Sequence, residues 1–188
     1  MNAIAMLMVS RGTPMIYMGD EMKRTQNGNN NAYCHDNQQN WLDWSLLAEN
    51  SDIFHFFKQC IAFRKAHHIL RGKEHFQHTD YIGSGYPDIS WHGTQAWNTE
   101  WDEDTHTLAF MLDGHHANDD MIYVAMNMHW DDHEFSIPAI PNGLHWHLFA
   151  DTGEYTQKHI FEPGTEPELE DQYHILLDAR SVAILVGR

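Results

Sequence analysis

Apolar positions follow two different rhythms along this chain. From residue 1 to 10 the apolar positions crowd together, as in Met1, Ile4, Ala5, Met6, Leu7, Met8 and Val9. That density predicts a buried helix, with Gly12 placed to end it. Pro14 then opens Met15-Ile16-Tyr17-Met18, apolar on both faces, which is the pattern of a strand in a parallel sheet covered on each side. A long polar loop follows, from Gly19 to about Glu49, and contains Asn27-Gly28-Asn29-Asn30-Asn31; loops of that length inside a compact domain are usually functional or disordered. A second helix begins with Ser51 as its cap and carries Ile53, Phe56, Phe57, Cys60 and Ile61 at helical spacing. The pattern runs to about Leu70, where Arg71-Gly72 supplies a cation and a C-cap glycine. Beyond residue 73 the rhythm shortens. Strands are predicted at 89–92, 107–112, 121–128, 144–149, 173–177 and 181–186, with turns at Asp113-Gly114, Pro141-Asn142-Gly143, Asp151-Thr152-Gly153 and Pro163-Gly164. Short strands punctuated so regularly predict an antiparallel β-sandwich.

The strand at 15–18 has no partners in the sequence around it. A parallel strand buried on both faces needs a neighbour on each edge, and no second β/α unit follows. Residues 1–72 therefore read as the closing unit of a larger (β/α)₈ barrel, and 73–188 as a β-sandwich. The fold class expected is an α+β fragment. In such barrels the active site lies at the C-terminal ends of the strands, which here places Gly19-Asp20-Glu21 and the loop beyond at the cleft.

Composition narrows the choice of partner. Eleven Lys and Arg stand against 27 Asp and Glu, a formal charge of −16. So acidic a surface repels phosphate backbones and makes nucleic acid a poor partner, whereas a neutral polysaccharide meets no such barrier. Two cysteines, Cys34 and Cys60, make no disulfide framework and fit a reducing cytosol, so a cytoplasmic location is expected. The apolar start lacks a basic n-region and a small-residue cleavage site, and Arg11 interrupts it, so neither a signal peptide nor a membrane span is expected.

Between residues 12 and 44 the motifs become specific. Gly12-Thr13-Pro14-Met15, Met18-Gly19-Asp20-Glu21, Arg24-Thr25-Gln26, Gly28-Asn29-Asn30-Asn31-Ala32-Tyr33-Cys34, His35-Asp36-Asn37 and Trp41-Leu42-Asp43-Trp44 resemble the isoamylase and bacterial glycogen debranching branch of the α-amylase superfamily of glycoside hydrolases. Phe63-Arg64, Trp91-His92-Gly93 and Ala125-Met126-Asn127 continue the resemblance. It implies that 1–72 are the seventh helix, eighth strand and eighth helix of the barrel, with 73–188 the family's C-terminal β-sandwich. It also implies hydrolysis of α-1,6 branch linkages in glycogen or maltooligosaccharides, by a retaining mechanism whose two carboxyls stand about 5–5.5 Å apart. In the family the nucleophile, the acid and a third aspartate sit on or after strands four, five and seven, all before the first residue of this chain. No catalytic residue is carried over, the chain alone is expected to be inactive, and no cofactor or metal is implied. The alternative is a stand-alone α-glucan-binding or structural accessory module.

The residues singled out for substrate binding are Asp20, Glu21, Arg24, Asn29, Asn31, Tyr33 and Asp36. Successive residues leaving a strand point to opposite faces, so Asp20 and Glu21 do not form a catalytic pair; they bind loop backbone, barrel partners or a sugar hydroxyl. Arg24 is expected in a buried ion pair holding the loop. The asparagine amides suit sugar hydroxyls and tight turns alike. Tyr33, Trp41 and Trp44 offer faces on which glucose rings stack, with at least one tryptophan expected in the loop's core. Trp91, Trp97, Trp101, Trp130 and Trp146 are expected mostly in the core or at a domain interface. The pairs His67-His68, His115-His116 and His145 with His147 lack an acidic or cysteine partner at zinc spacing, so no metal site is expected. Residues 1–20, short of neighbours, are expected to drive self-association.

Overall fold

The structure, a computed structural model, describes residues 1–188 apart from 155 and 157. Helix α1 spans Asn2–Val9 and buries Ile4, Ala5, Met8 and Val9, the stripe its spacing dictates. It stops before Gly12, because the N–H and hydroxyl of Ser10 both turn back to the Met6 carbonyl. The orphan carbonyls at this end are taken by Arg64 of the later helix: Nη1 donates to Met8 and Ser10 at 2.7 Å each, and Nη2 to Gly12 at 2.6 Å. A cation at a helix C-terminus also complements the backbone dipole.

The strand expected at 15–18 does not form. The backbone there runs as coil, Met15 is 87% exposed, and Tyr17 and Met18 are exposed too. Only Ile16 is partly buried against the core. A strand is stable only when its N–H and C=O groups meet a neighbour, and this one has none.

A short helix α2, Ser45–Glu49, precedes α3, Ser51–Ala66. Asn50, not Ser51, occupies the N-cap of α3, without a side-chain cap bond. Phe56, Cys60 and Phe63 are buried along one face. The helix ends at Ala66, short of Leu70, because Asp119 captures the chain: it pairs with Nδ1 of His67 at 2.8 Å and accepts from the Ile69 N–H at 3.0 Å. Residues His68–Arg71 then form one 3₁₀ turn, and Gly72, with φ −56°, makes no left-handed cap.

Among the described residues seven strands follow: β1 Ile89–His92, β2 Thr107–Leu112, β3 Met121–Asn127, β4 His133–Ser136, β5 Trp146–Asp151, β6 His174–Leu177 and β7 Ser181–Gly187. Five make an antiparallel sheet in the order β1-β2-β3-β7-β5, and β4 pairs with β6 in a second. Strand β4 escapes the sequence reading because only Phe135 of its four residues is buried. Strand β5 starts two residues late, since Leu144 is bonded back to Pro141 in the turn around Gly143 (φ +90°).

The large sheet is covered on both sides. Ile122, Val124, Ile184 and Val186 face α1 and α3 in one core. Tyr123, Ala125, Ala183 and Leu185 face Phe135 and Leu177 of the small sheet in another. Each such side chain contributes roughly 1.5–3 kcal/mol by leaving water, so β3 and β7 anchor the molecule. Of the five sandwich tryptophans, Trp146 alone is core; Trp97, Trp101 and Trp130 are exposed and Trp91 partly so. Among the described residues no helix is long and apolar enough to cross a membrane.

Candidate functional site

The loop from residue 19 to 44 is built from short-range polar bonds. Gly19 adopts φ +100°, and a Cβ there would meet Arg24 Cδ at 2.6 Å, so both backbone conformation and close approach demand glycine. A 3₁₀ turn Asp20–Met22 follows and buries Met22. The two acids serve this turn: Asp20 accepts from the Tyr17 N–H at 3.1 Å and Glu21 from the Gly19 N–H at 3.0 Å. Each carboxylate is thus committed to nearby backbone.

Arg24 ties the two ends of the loop together. Its Nη2 donates to the carbonyls of Gln39 and Asn40 and to Asn40 Oδ1, at 3.3, 3.0 and 3.2 Å, and its guanidinium lies 5.0 Å from the Tyr17 ring centre. The expected ion pair is absent: among the described residues no carboxylate lies within 4.0 Å of it. Carbonyls replace the carboxylate because the nearby acids, Asp20 and Glu21, are already bonded to their own turn. Nε and Nη1 of Arg24 are buried without a partner.

Asn29 closes a turn by accepting from the Asn31 N–H at 2.9 Å, and its amide nitrogen lies 3.3 Å from His35 Nδ1. Asn31 itself is exposed, as is Tyr33, 83% open to solvent. Asp36 accepts from Trp41 Nε1 at 2.8 Å. Neither tryptophan of the loop is core; Trp41 and Trp44 are exposed. The seven singled-out residues therefore divide. Asp20, Glu21, Arg24, Asn29 and Asp36 shape the loop, while Tyr33 and Asn31 stand free at its surface beside Trp41 and Trp44. Sequence reasoning does not single out Tyr17, Gln39 and Asn40, which hold the loop's waist. Gln39 and Asn40 carry no signal beyond polarity, and Tyr17 sits in a run whose apolar pattern points to a strand instead. Beside the loop runs a groove of about 500 Å³, between Ile16 and Glu21 on one side and Phe54, Phe57 and Ile61 of α3 on the other.

Two of the histidine pairs part company in the fold, whereas His115 Nδ1 and His116 Nε2 both face the buried carboxylate of Asp113, at 2.6 and 3.4 Å. His145 pairs with Glu168 at 2.6 Å, while His147 Nδ1 contacts the His145 carbonyl at 2.9 Å. His67, Asp119 and Asp120 place ligand-type atoms within 4.8 Å of one another. Asp119 is already occupied there: burial opposes its charge, but the His67 ring and the N–H groups of Ile69 and Asp120 outweigh that and hold its carboxyl below the usual range.

Three comparisons bear on this geometry. The family described as "Isoamylase, C-terminal" matches residues 88–186. Isoamylase from Flavobacterium sp is 35% identical across all of this chain, which spans 25% of that protein. The glycogen operon protein GlgX homolog of Mycobacterium bovis is 35% identical over 81% of this chain and 23% of its own length. The chain thus spans about a quarter of the relatives it matches. Pullulanase type I from Bacillus subtilis, solved in complex with maltose, superposes with a TM-score of 0.70 over 98% of this chain and 22% of its own, at 20% identity.

Proposed function

Because this chain belongs to the isoamylase family, we propose that it works as the C-terminal part of an enzyme that hydrolyses α-1,6 branch linkages in glycogen or related α-glucans. The carrying observation is the family match over 88–186 together with relatives that extend to about four times this chain's length. In this reading residues 1–72 are the last helix–strand–loop–helix of a (β/α)₈ barrel and 73–188 its C-terminal sandwich. The segment at 15–18 becomes a strand once barrel neighbours lie on its edges. The unpartnered Nε and Nη1 of Arg24 then meet acceptors from the same neighbours.

The loop forms part of the rim of the glucan cleft. Tyr33, Trp41 and Trp44 present open aromatic faces, and aromatic faces stack on the apolar faces of pyranose rings. Asn31 supplies an amide for sugar hydroxyls. The nucleophile and acid come from other barrel strands, since Asp20, Glu21 and Asp36 are committed within the loop. The chain by itself therefore opens no branch. The enzyme works in the cytoplasm without cofactor or metal, and residues 1–20 mediate self-association when barrel neighbours are lacking.

A hybrid tests this. The chain replaces the equivalent C-terminal quarter of the Flavobacterium isoamylase, and branch hydrolysis is followed by new reducing ends. The hybrid is expected to debranch glycogen, the isolated chain to release nothing, and Trp44→Ala in the hybrid to raise KM several-fold. A hybrid that folds but leaves branches intact, or turnover by the chain alone that vanishes with Asp20→Ala, overturns the reading.

A further inference from the structure

On its helical side the large sheet is roofed unevenly. Helix α1 packs on β7, and Phe63 of α3 stacks on Phe149 of β5 with ring centres 4.0 Å apart. Packed helices lie about 10 Å apart and paired strands about 4.8 Å, so each helix roofs about two strands. Two helices therefore account for β3, β7 and β5. Over β1 and β2, at the other end of the sheet, lies a trough of about 330 Å³. Its walls are residues 9–11, where the chain leaves α1, and the segment at 75–78.

The floor of the trough is Ile89, Trp91, Phe110 and Leu112. These share a face because Ile89 pairs with Leu112, and Trp91 with Phe110, across the two strands. Burial falls away toward the sheet edge. Ile89 and Leu112 are buried and Phe110 and Trp91 only partly, while Trp101, edge-on to Trp91 at 5.9 Å, is 69% exposed. Arg11 in the wall is spent on the carbonyls of Ile69 and Glu74 and on the Phe76 ring, so it adds shape rather than free charge. The rim around Trp101 is acidic. Glu100, Asp102, Glu103 and Asp104 are all exposed, and among the described residues none has a cationic side chain within 4.0 Å.

We propose that β1 and β2 dock an amphipathic helix from the preceding portion of the longer enzyme. Its apolar side lies on Trp91 and Phe110, and its Lys or Arg residues face the acids at 100–104. This rests on the reading of the chain as the last quarter of such an enzyme, of which it spans 25% in the Flavobacterium relative. A helix suits the place because it continues the spacing of α3 and α1 across the same face. A glucan needs hydrogen-bond partners converging around its ring, and four apolar side chains on the floor supply none. A second copy of this chain brings its own charge of −16 to an acidic rim.

Hydroxyl-radical footprinting, read residue by residue by mass spectrometry, compares the chain alone with the hybrid isoamylase that carries it. In the chain alone Trp91, Phe110 and Trp101 are expected to label readily. In the hybrid, labelling of Trp91 and Phe110 should fall about fivefold or more, as a docked helix excludes water. Trp97, whose ring lies against Tyr86 of the other core, should label equally in both. Asp102→Lys with Glu103→Lys in the hybrid should restore labelling of Trp91 by about twofold or more, through repulsion of the basic helix. Unchanged labelling of Trp91 in the hybrid, whether or not it folds and debranches, overturns the docking proposal; if that hybrid debranches, the debranching reading survives it. A protected trough in an inactive hybrid supports the docking and sinks the other reading. Indifference to the charge reversal, protection of the chain alone that grows with its own concentration, or its protection by maltoheptaose each overturns the proposed occupant.

Discussion

His92 shows how much a single buried side chain governs. Its ring is fully enclosed, accepts the Trp97 N–H on Nδ1 at 2.6 Å and meets Ser90 Oγ at 2.9 Å through Nε2. The accepted bond requires a neutral ring whose proton sits on Nε2. Burial pushes its pKa down to about 4. Because the folded value lies below the unfolded one of about 6.5, the unfolded chain takes up the proton first. Stability is therefore full above about pH 6.5 and falls as pH drops toward 4, by roughly 2–3 kcal/mol at pH 4.5. Urea unfolding of the wild type and of His92→Gln at pH 7.5 and 4.5 should differ in this pH-dependent loss; equal losses in the two proteins refute it. Arg64 is the second such residue. Arg64→Leu strands the carbonyls of Met8, Ser10 and Gly12 and should cost about 3 kcal/mol or more. An unchanged urea midpoint would show that water replaces the guanidinium.

At the scale of elements, rigidity follows the number of covered faces. Strands β3 and β7 pair along seven residues and are apolar on both sides. The loop at 24–44 has a 3₁₀ turn, side-chain bonds and a single buried residue, Ala32, and α2 buries none of its residues. Amide hydrogen exchange should accordingly be fast across 24–44 and slowest in β3 and β7. Strand β6, which pairs with β4 in the two-stranded sheet, should exchange between these limits. Protection of the loop equal to that of β7 in a dilute monomer would mean the loop's side-chain bonds carry far more stability than their exposure suggests.

The whole molecule carries one open apolar surface near its start. The expectation for residues 1–20 narrows here: Met8 and Val9 are buried and Met6 and Leu7 pack on the same core, whereas Met15, Tyr17 and Met18 stay exposed beside the groove lined by Phe54 and Phe57. A charge of −16 opposes association, but screening beyond about 8 Å at physiological salt leaves short-range burial in command. Sedimentation at 150 mM salt should show a dimer or larger species, reduced to monomer by Met15→Asp with Met18→Asp. A monomer for the unsubstituted chain at micromolar concentration sinks the idea.

Local pattern by itself determined much of this chain. β1 and β2 fall where alternation and turn residues place them, β3 and β7 within one residue, and the motifs between Gly12 and Trp44 identify the family before any fold is drawn. These are properties carried by neighbouring residues: period, capping and turn chemistry act over a few positions. Tertiary structure decided what depends on partners far away in sequence. The run at 15–18 reads as a strand, yet no strand forms without edges to pair. Helix α3 stops at Ala66 because Asp119, more than fifty residues on, takes its backbone. β4 is a strand because β6 and the core above Phe135 make it one. Arg24 finds carbonyls in place of a carboxylate for the same reason. The surroundings of Arg11 bring together residues from α1, the 72–88 segment and β1–β2, and only folding makes those distant stretches neighbours.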